Sequence, residues 1–416
     1  MNLLYNIGIY LLTLFIKCGA LFNKKLNKGV LGRKHTFRLL EQTISESDKT
    51  IWLHCASLGE YEQGLPVFSE LRKQYKDHKI VLSFFSPSGY EIRKNTPIAD
   101  VVVYLPLDSQ SNAKRFIDLL KPELSVFVKY DIWPNFLHAL KVKNLKAILV
   151  SAAFRKEQHY FKFYGAPFRN ALFAFQHIFT QNEISKELLK SIGYTEVTIS
   201  GDTRFDRVSN QLKIDNTLEF INDFKNDTLC IVAGSTWPED ESLFIDFINN
   251  TSIKDIKFIV APHNIKPIQI KSFQEKLNKA SILFSEKEQQ QLNEYSIFIV
   301  DTIGILTKIY NYADIAYVGG GMGNTGLHNA LEAAVFGVPI IIGKNHKEFP
   351  EAQAMIDKGG MFSISSQNQF NQTLSTLIND DEKRELCGLK NKAYVEKNKG
   401  AVNLVLDYLK IKLPSA

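Results

Sequence analysis

The chain has 416 residues, 45% of them apolar and 12% aromatic, which fits two or three packed domains and excludes a disordered protein. The formal charge of +6 is concentrated: residues 1–40 hold Lys17, Lys24, Lys25, Lys28, Arg33, Lys34 and Arg38 with no acid, and the remaining 43 cationic side chains face 44 acidic ones. This excludes the basic folded face of a nucleic-acid binder, and the scattered Cys18, Cys55, Cys230 and Cys387 exclude a zinc-finger spacing and point to a reducing compartment.

Residues 1–22, MNLLYNIGIYLLTLFIKCGALF, form an apolar segment interrupted by Asn6, Thr13 and Lys17. A cleaved signal peptide carries its positive charge before the apolar core, whereas here the charge follows it. The segment reads as a membrane-anchor helix that keeps the body of the protein cytoplasmic. A buried N-terminal helix is the plainer alternative. The sequence does not choose between a spanning and an interfacial helix.

Apolar, β-branched runs then alternate with helical patterns. Strands are predicted at Thr50–Leu53, Ile80–Phe85, Val101–Tyr104, Leu124–Val128, Ala147–Val150, His177–Thr180 and Val197–Ser200. Such alternation gives a parallel sheet with right-handed crossovers. The first strand runs into IWLHCASLGEYEQG (51–64). Ser57-x-x-Glu60 has capping-box spacing, so Glu60 is either a cap partner or a base placed where α/β folds bind ligands. Three more polar loops follow strands: FFSPSGYEIRK (84–94), KYDIWPN (129–135) with Lys129 and Asp131, and GDTRFD (201–206) with Arg204.

A polar stretch near 207–227 marks the domain boundary. A second series of strands is predicted at Leu229–Ala233, Lys257–Ala261, Ser296–Val300, Ile315–Val318 and Pro339–Ile342. AGSTWPED (233–240) and APHNIKP (261–267) each follow a strand of this series. GGGMGNTG (319–326) has the dinucleotide spacing, but no acid ends the next strand to hold a ribose, which argues against a dehydrogenase. Its glycines instead suit a phosphate beside a helix predicted to start near HNALEAA. Asn329 and Glu332 share a face of that helix; Glu332 either binds sugar hydroxyls or compensates the helix dipole. His328 and Glu332 have metal-ligand spacing without a third ligand, so no metal is expected. The last stretch, helical and rich in Lys and Glu, packs on either domain.

These stretches, in this order, resemble the Kdo transferases of lipopolysaccharide synthesis (3-deoxy-D-manno-octulosonic acid transferases). The resemblance is carried by HCASLGE, SPSGYE, YLPLD, WPN, ISGDTRFD, VAGSTWPEDE, DTIG and GLHNALEAAVFGVPIIIG, and runs from the N-terminal anchor to about Gly360. It implies the glycosyltransferase-B fold, an α/β architecture of two doubly wound Rossmann-like domains facing a cleft. The expected division is an anchor at 1–22, an acceptor domain at 23–210 and a donor domain at 211–416. The implied reaction is inverting transfer of Kdo from CMP-Kdo to the lipid A precursor (lipid IVA) at the cytoplasmic face of the inner membrane, without cofactor.

In this resemblance Glu60 is the proposed base of the S-x-G-E motif, and Lys129 and Arg204 fall on further catalytic positions. Nucleotide contacts fall on Pro262 and His263, on Gly304, Ile305 and Leu306, and on Asn329, Ala330, Leu331 and Glu332. The chain departs from the family where E-T-E-L-W-P-N becomes Lys129-Tyr130-Asp131-Ile132-Trp133-Pro134-Asn135, so that Lys129 replaces an acid. K-F-D becomes Arg204-Phe205-Asp206, P-R-H becomes Pro262-His263-Asn264, and G-E-L becomes Gly304-Ile305-Leu306. The rival readings are a transferase or epimerase of the same architecture acting on another nucleotide sugar, and a membrane-tethered scaffold without activity.

Overall fold

The computed structural model describes residues 3–253 and 255–412. The chain divides into two compact units. One holds the residues up to Arg207 together with those from Lys399 onward; the other is Val208–Asn398.

The first unit is built on seven parallel strands: β1 (Thr50–Cys55), β2 (Lys79–Phe84), β3 (Val101–Tyr104), β4 (Leu124–Val128), β5 (Ala147–Ala152), β6 (His177–Thr180) and β7 (Val197–Ile199). All seven expected strands are present, in the order β3-β2-β1-β4-β5-β6-β7. β1, β4 and β5 are buried along their whole length. That is why they read as unbroken apolar runs and not as alternation. Ile51, Leu53 and Cys55 face one core with Phe68, Val126 and Val128. Trp52 faces the other, where its ring meets Phe116, Phe127 and Phe136 at 5.0, 4.9 and 5.8 Å between centroids. The strand order reverses between β1 and β4, which makes their carboxyl ends a topological switch point.

The C-terminal helix Ala401–Lys412 belongs to this unit, not to the one that precedes it in the chain, so the expected donor-domain range of 211–416 is too long. Val402, Val405, Leu406 and Leu409, spaced for one helix face, enter the core beneath Ile51 and Leu53. Asp206 fixes the start of the helix by accepting from the N–H groups of Gly400 (2.9 Å) and Ala401 (3.1 Å). Residues 413–416 lie outside the described residues.

The second unit has its own parallel sheet: β8 (Leu229–Thr236), β9 (Ile256–Pro262), β10 (Ser281–Leu283), β11 (Ile297–Ile299), β12 (Ile315–Val318), β13 (Ile340–Gly343) and β14 (Met361–Ile364). The order is β10-β11-β9-β8-β12-β13-β14, with its switch point between β8 and β12. β10 and β14 were not expected. They are the two edges of the sheet and the least buried of its strands, so no sustained apolar run marks them.

The N-terminal helix Leu3–Gly19 is docked on the first unit. The Tyr5 hydroxyl donates to Asp108 Oδ2 at 2.6 Å, Asn135 Nδ2 donates to Asn6 Oδ1 at 3.0 Å, and Ile9 is buried. The residues on the outer side, including Leu4, Leu11, Leu14 and Phe15, are exposed. No single described helix is long and apolar enough to cross a membrane; Leu3–Gly19 and Lys24–Thr43 pass that test only as a pair bent by 119°. Met1 and Asn2 of the expected anchor lie outside the described residues. Arg33 does not stand with the surface lysines. It donates to Leu105 O (2.9 Å) and packs over Phe85, and burial pushes its guanidinium down to about 10.

Asp108 is the buried end of this docking. It also accepts from the backbone N–H groups of Asn135 and Phe136, each at 3.1 Å, at the start of the helix Pro134–Val142. Burial pushes its carboxyl up to about 7 in spite of those bonds. The folded state therefore holds this proton to higher pH than the unfolded chain. The contribution is fully present below about pH 4 and is lost as the pH rises through about 7. Urea denaturation of the wild type should show this decline, on the order of a few kcal/mol, and Asp108→Asn should flatten it. Parallel pH profiles of the two proteins would contradict the assignment.

Candidate active site

In the first unit, polar side chains gather where the buried strands end. Glu60 lies in the first turn of the helix Leu58–Gln74, just beyond β1, and is partly exposed. Ser57 occupies the N-cap position with extended backbone, yet its side chain makes no bond to the helix backbone. Its hydroxyl donates to the Glu60 carboxylate instead. The reciprocal bonds of a capping box are therefore not formed, although the spacing permits them.

Beside Glu60, β1 and β4 bring His54 and Asp131 together. His54 Nε2 is 2.6 Å from Asp131 Oδ2, and His54 Nδ1 is 2.7 Å from Ser83 Oγ, its register partner on β2. The Cys55 thiol reports the acidity of this corner. Burial raises it most, and Glu60, Asp131 and Glu62 raise it further in that order.

Lys129 follows β4 with φ of 68°. A left-handed lysine is strained, and such strain concentrates at functional sites. Its ammonium stands 5.3 Å above the Tyr130 ring and has no ion pair among the described residues. Arg204 is placed differently from expectation. Its Nε and terminal nitrogen donate to Asp202 Oδ2 at 2.8 and 2.7 Å, and Asp202 is held in turn by Gln63 Nε2 at 2.8 Å. Its charge is thus compensated by an acid anchored on the Glu60 helix.

In the second unit a cavity of about 270 Å³ opens at the ends of β8 and β9, lined by Thr236, Trp237, Glu239, Pro262, Asn264 and Thr325 among others. His263 stacks on Trp237 (4.8 Å, 19°) and lies 4.4 Å from the His328 ring, whose Nε2 accepts from Trp237 Nε1 at 3.2 Å. Burial lowers His263; burial first and His263 second push His328 down to about 4. Both shifts favour the neutral rings near pH 7, which offer aromatic surface at this cavity.

The glycine-rich turn is close-packed. A Cβ on Gly320 would lie 2.1 Å from Gly326 O, and one on Gly343 would lie 2.1 Å from Gly321 C. Gly320 N–H donates to Asp240 Oδ2 at 2.9 Å. The expected helix is a correction: it is only Leu331–Ala334, too short for a phosphate-binding N-terminus, and Ala330 and Leu331 bury their side chains. Asn329 and Glu332 do meet, with Nδ2 donating to Oε1 at 3.2 Å. Gly304 takes a left-handed turn (φ 92°), Ile305 precedes the helix Leu306–Ile309, and Leu306 packs over Gly234. The importance of His54, Trp237 and Asp240 was not evident in the sequence, because each is defined by a partner distant in the chain.

Residues 32–207 match the family described as 3-deoxy-D-manno-octulosonic-acid transferase (kdotransferase). The chain is 27% identical over 374 residues to the 3-deoxy-D-manno-octulosonic acid transferase of Haemophilus influenzae, covering 86% of each protein. It is 27% identical over 369 residues to the enzyme of that name from Aquifex aeolicus, covering 86% of this chain and 95% of the relative. Among solved structures, the UDP-GlcNAc 2-epimerase of Neisseria meningitidis bound to UDP-GlcNAc superposes with a TM-score of 0.63 at 16% identity, over 87% of this chain and 99% of that one. That likeness is one of fold, and with the two parallel sheets it gives the glycosyltransferase-B fold class.

The neutral His328 has a measurable signature. Its folded pKa lies below the ordinary 6.5, so its contribution to stability is present above about pH 6.5 and is lost as the pH falls towards 4. An NMR titration should place its imidazole midpoint near pH 4; a midpoint at 6.5 would contradict the buried Trp237–His328 bond.

Proposed function

From a chain that carries a Kdo transferase family domain in residues 32–207 and resembles these enzymes over most of its length, we infer that it transfers Kdo from CMP-Kdo to the lipid A precursor, lipid IVA, in lipopolysaccharide synthesis. The observation that carries the reading is Glu60: a carboxylate beyond a buried strand, met by the Ser57 hydroxyl and released from the capping role that its spacing suggested.

In the proposed step Glu60 takes the proton of the acceptor hydroxyl as its oxygen bonds to the anomeric carbon of Kdo. The bond from that carbon to the phosphate oxygen breaks, and CMP leaves with the electron pair. Inversion follows from attack opposite the leaving phosphate. The departing phosphate needs positive charge. Lys129 suits this better than Arg204, whose guanidinium already pairs with Asp202. Glu332, with Asn329 bound to it, accepts hydroxyls of the donor's ribose, and Pro262, His263 and the main chain of Gly304 to Leu306 complete the nucleotide contacts.

The acceptor is lipidic and anionic. The exposed apolar side of Leu3–Gly19 and the lysines that follow it support residence on the cytoplasmic face of the inner membrane. A nucleotide-sugar epimerase shares the fold, and it would turn over the donor without acceptor; CMP release that requires lipid IVA separates the two.

Glu60→Gln should nearly abolish transfer while leaving folding and CMP affinity unchanged. Glu332→Gln should weaken CMP about ten- to a hundredfold, the cost of a charge-assisted hydrogen bond. Turnover and calorimetric titration of CMP, measured on both variants, check this. Near-wild-type turnover in Glu60→Gln would contradict the catalytic role.

A further inference from the structure

The loop 153–165, between β5 and the helix Ala166–Leu172, carries two adjacent aromatic side chains that face water: Phe163 is 93% exposed and Tyr164 56%. Exposed loop tips ordinarily hold small or polar residues, and a large apolar pair on such a tip marks a surface that something covers. This tip is not loose. Tyr160 is buried at its base, where its hydroxyl donates to Tyr130 O at 2.9 Å and its ring meets Phe154 at 5.6 Å. Phe154 N–H donates to Ser185 Oγ at 2.9 Å. At Gly165 the chain turns so tightly that a Cβ would lie 1.6 Å from His159 O. The fold therefore holds Phe163 and Tyr164 outward.

Charge and position identify the cover. Residues 155–169 carry Arg155, Lys156, Lys162 and Arg169 against one acid, Glu157, and none of the four cations has an ion pair among the described residues. Aromatic rings within a cationic rim suit the headgroup level of an anionic bilayer: the rings enter the acyl boundary and the cations meet lipid phosphate. The tip also adjoins the N-terminal helix. Tyr164 touches the His159 ring (5.8 Å), His159 stacks on Phe168 (5.8 Å, 28°), and Phe168 meets Tyr5 of the helix Leu3–Gly19 edge-on at 5.5 Å. Leu3 and Leu4, next to Tyr5, are exposed. An interfacial helix gains hold from a second contact.

We propose that the Phe163–Tyr164 tip is a second membrane contact, which enters an anionic phospholipid bilayer beside the N-terminal helix while Lys156 and Lys162 meet its headgroups. This rests on the membrane residence proposed above. A single contact leaves the first unit free to turn about it. With two, the carboxyl end of β5, from which the loop leaves, faces the bilayer, the side from which a lipidic acceptor arrives.

The test uses the full-length protein and vesicles of phosphatidylethanolamine and phosphatidylglycerol. Phe163→Trp adds an indole to Trp52, Trp133 and Trp237, whose signal is removed by subtracting the wild type. On vesicle binding the added indole should emit at shorter wavelength and be quenched by lipids brominated on the acyl chain. Lys156→Gln with Lys162→Gln should weaken binding to these vesicles about ten- to thirtyfold and leave binding to phosphatidylcholine vesicles unchanged. An indole that stays in water while the protein is bound, or a double variant that binds the anionic vesicles as the wild type does, overturns the proposal and leaves the membrane residence of the helix standing. A shift that needs no vesicles and grows with protein concentration also overturns it, since a second copy then covers the tip. A wild-type protein that binds no vesicle overturns both.

Discussion

A parallel strand buried on both faces has no room for a reacting group along its length. In β1, β4 and β5 every residue is buried, so polar function is confined to the carboxyl ends and the loops beyond them. Glu60, Asp131 and Lys129 all lie beyond such ends, and Lys129 holds left-handed backbone there. His54 is the exception that illustrates the constraint. It lies inside β1 and is tolerated only because Ser83 and Asp131 satisfy both ring nitrogens.

Which of these groups can meet a ligand depends on which are already engaged. Asp240, on the helix Pro238–Asn250, holds β12 and the glycine-rich turn by accepting from the Tyr317 hydroxyl at 2.6 Å and from Gly320 N–H at 2.9 Å, so it acts as scaffold. Asp206 fixes the last helix, and Arg204 is neutralised by Asp202. What is left outward in the first unit is one carboxylate met by a hydroxyl, one carboxylate clamped by an imidazole, and a lysine without an ion pair among the described residues. Those are the groups on which the proposed proton removal and anion binding rely.

The sequence revealed the fold more readily than the site. The long buried strands were legible because burial on both faces imposes continuous apolar runs. β10 and β14 were not, because edge strands are short and half-covered. The last helix carried a clear apolar spacing at Val402, Val405, Leu406 and Leu409, but spacing names a face and not the sheet it meets. Glu60 stood out from its motif, whereas the failure of its capping box depends on one hydroxyl torsion. His54 looked like a core residue, because the register that sets it opposite Ser83 is a tertiary fact. Ala330 and Leu331 came with Asn329 and Glu332 from a contiguous motif, and the fold buries the two middle residues and leaves the outer two half-buried.

The account stands or falls on the reaction itself. Mass spectrometry of lipid IVA after incubation with CMP-Kdo and the full-length protein tests it most directly. The account predicts a lipid heavier by one or more Kdo residues, formed together with CMP and only when both substrates are present. Unmodified lipid, or CMP released equally without acceptor, would contradict it.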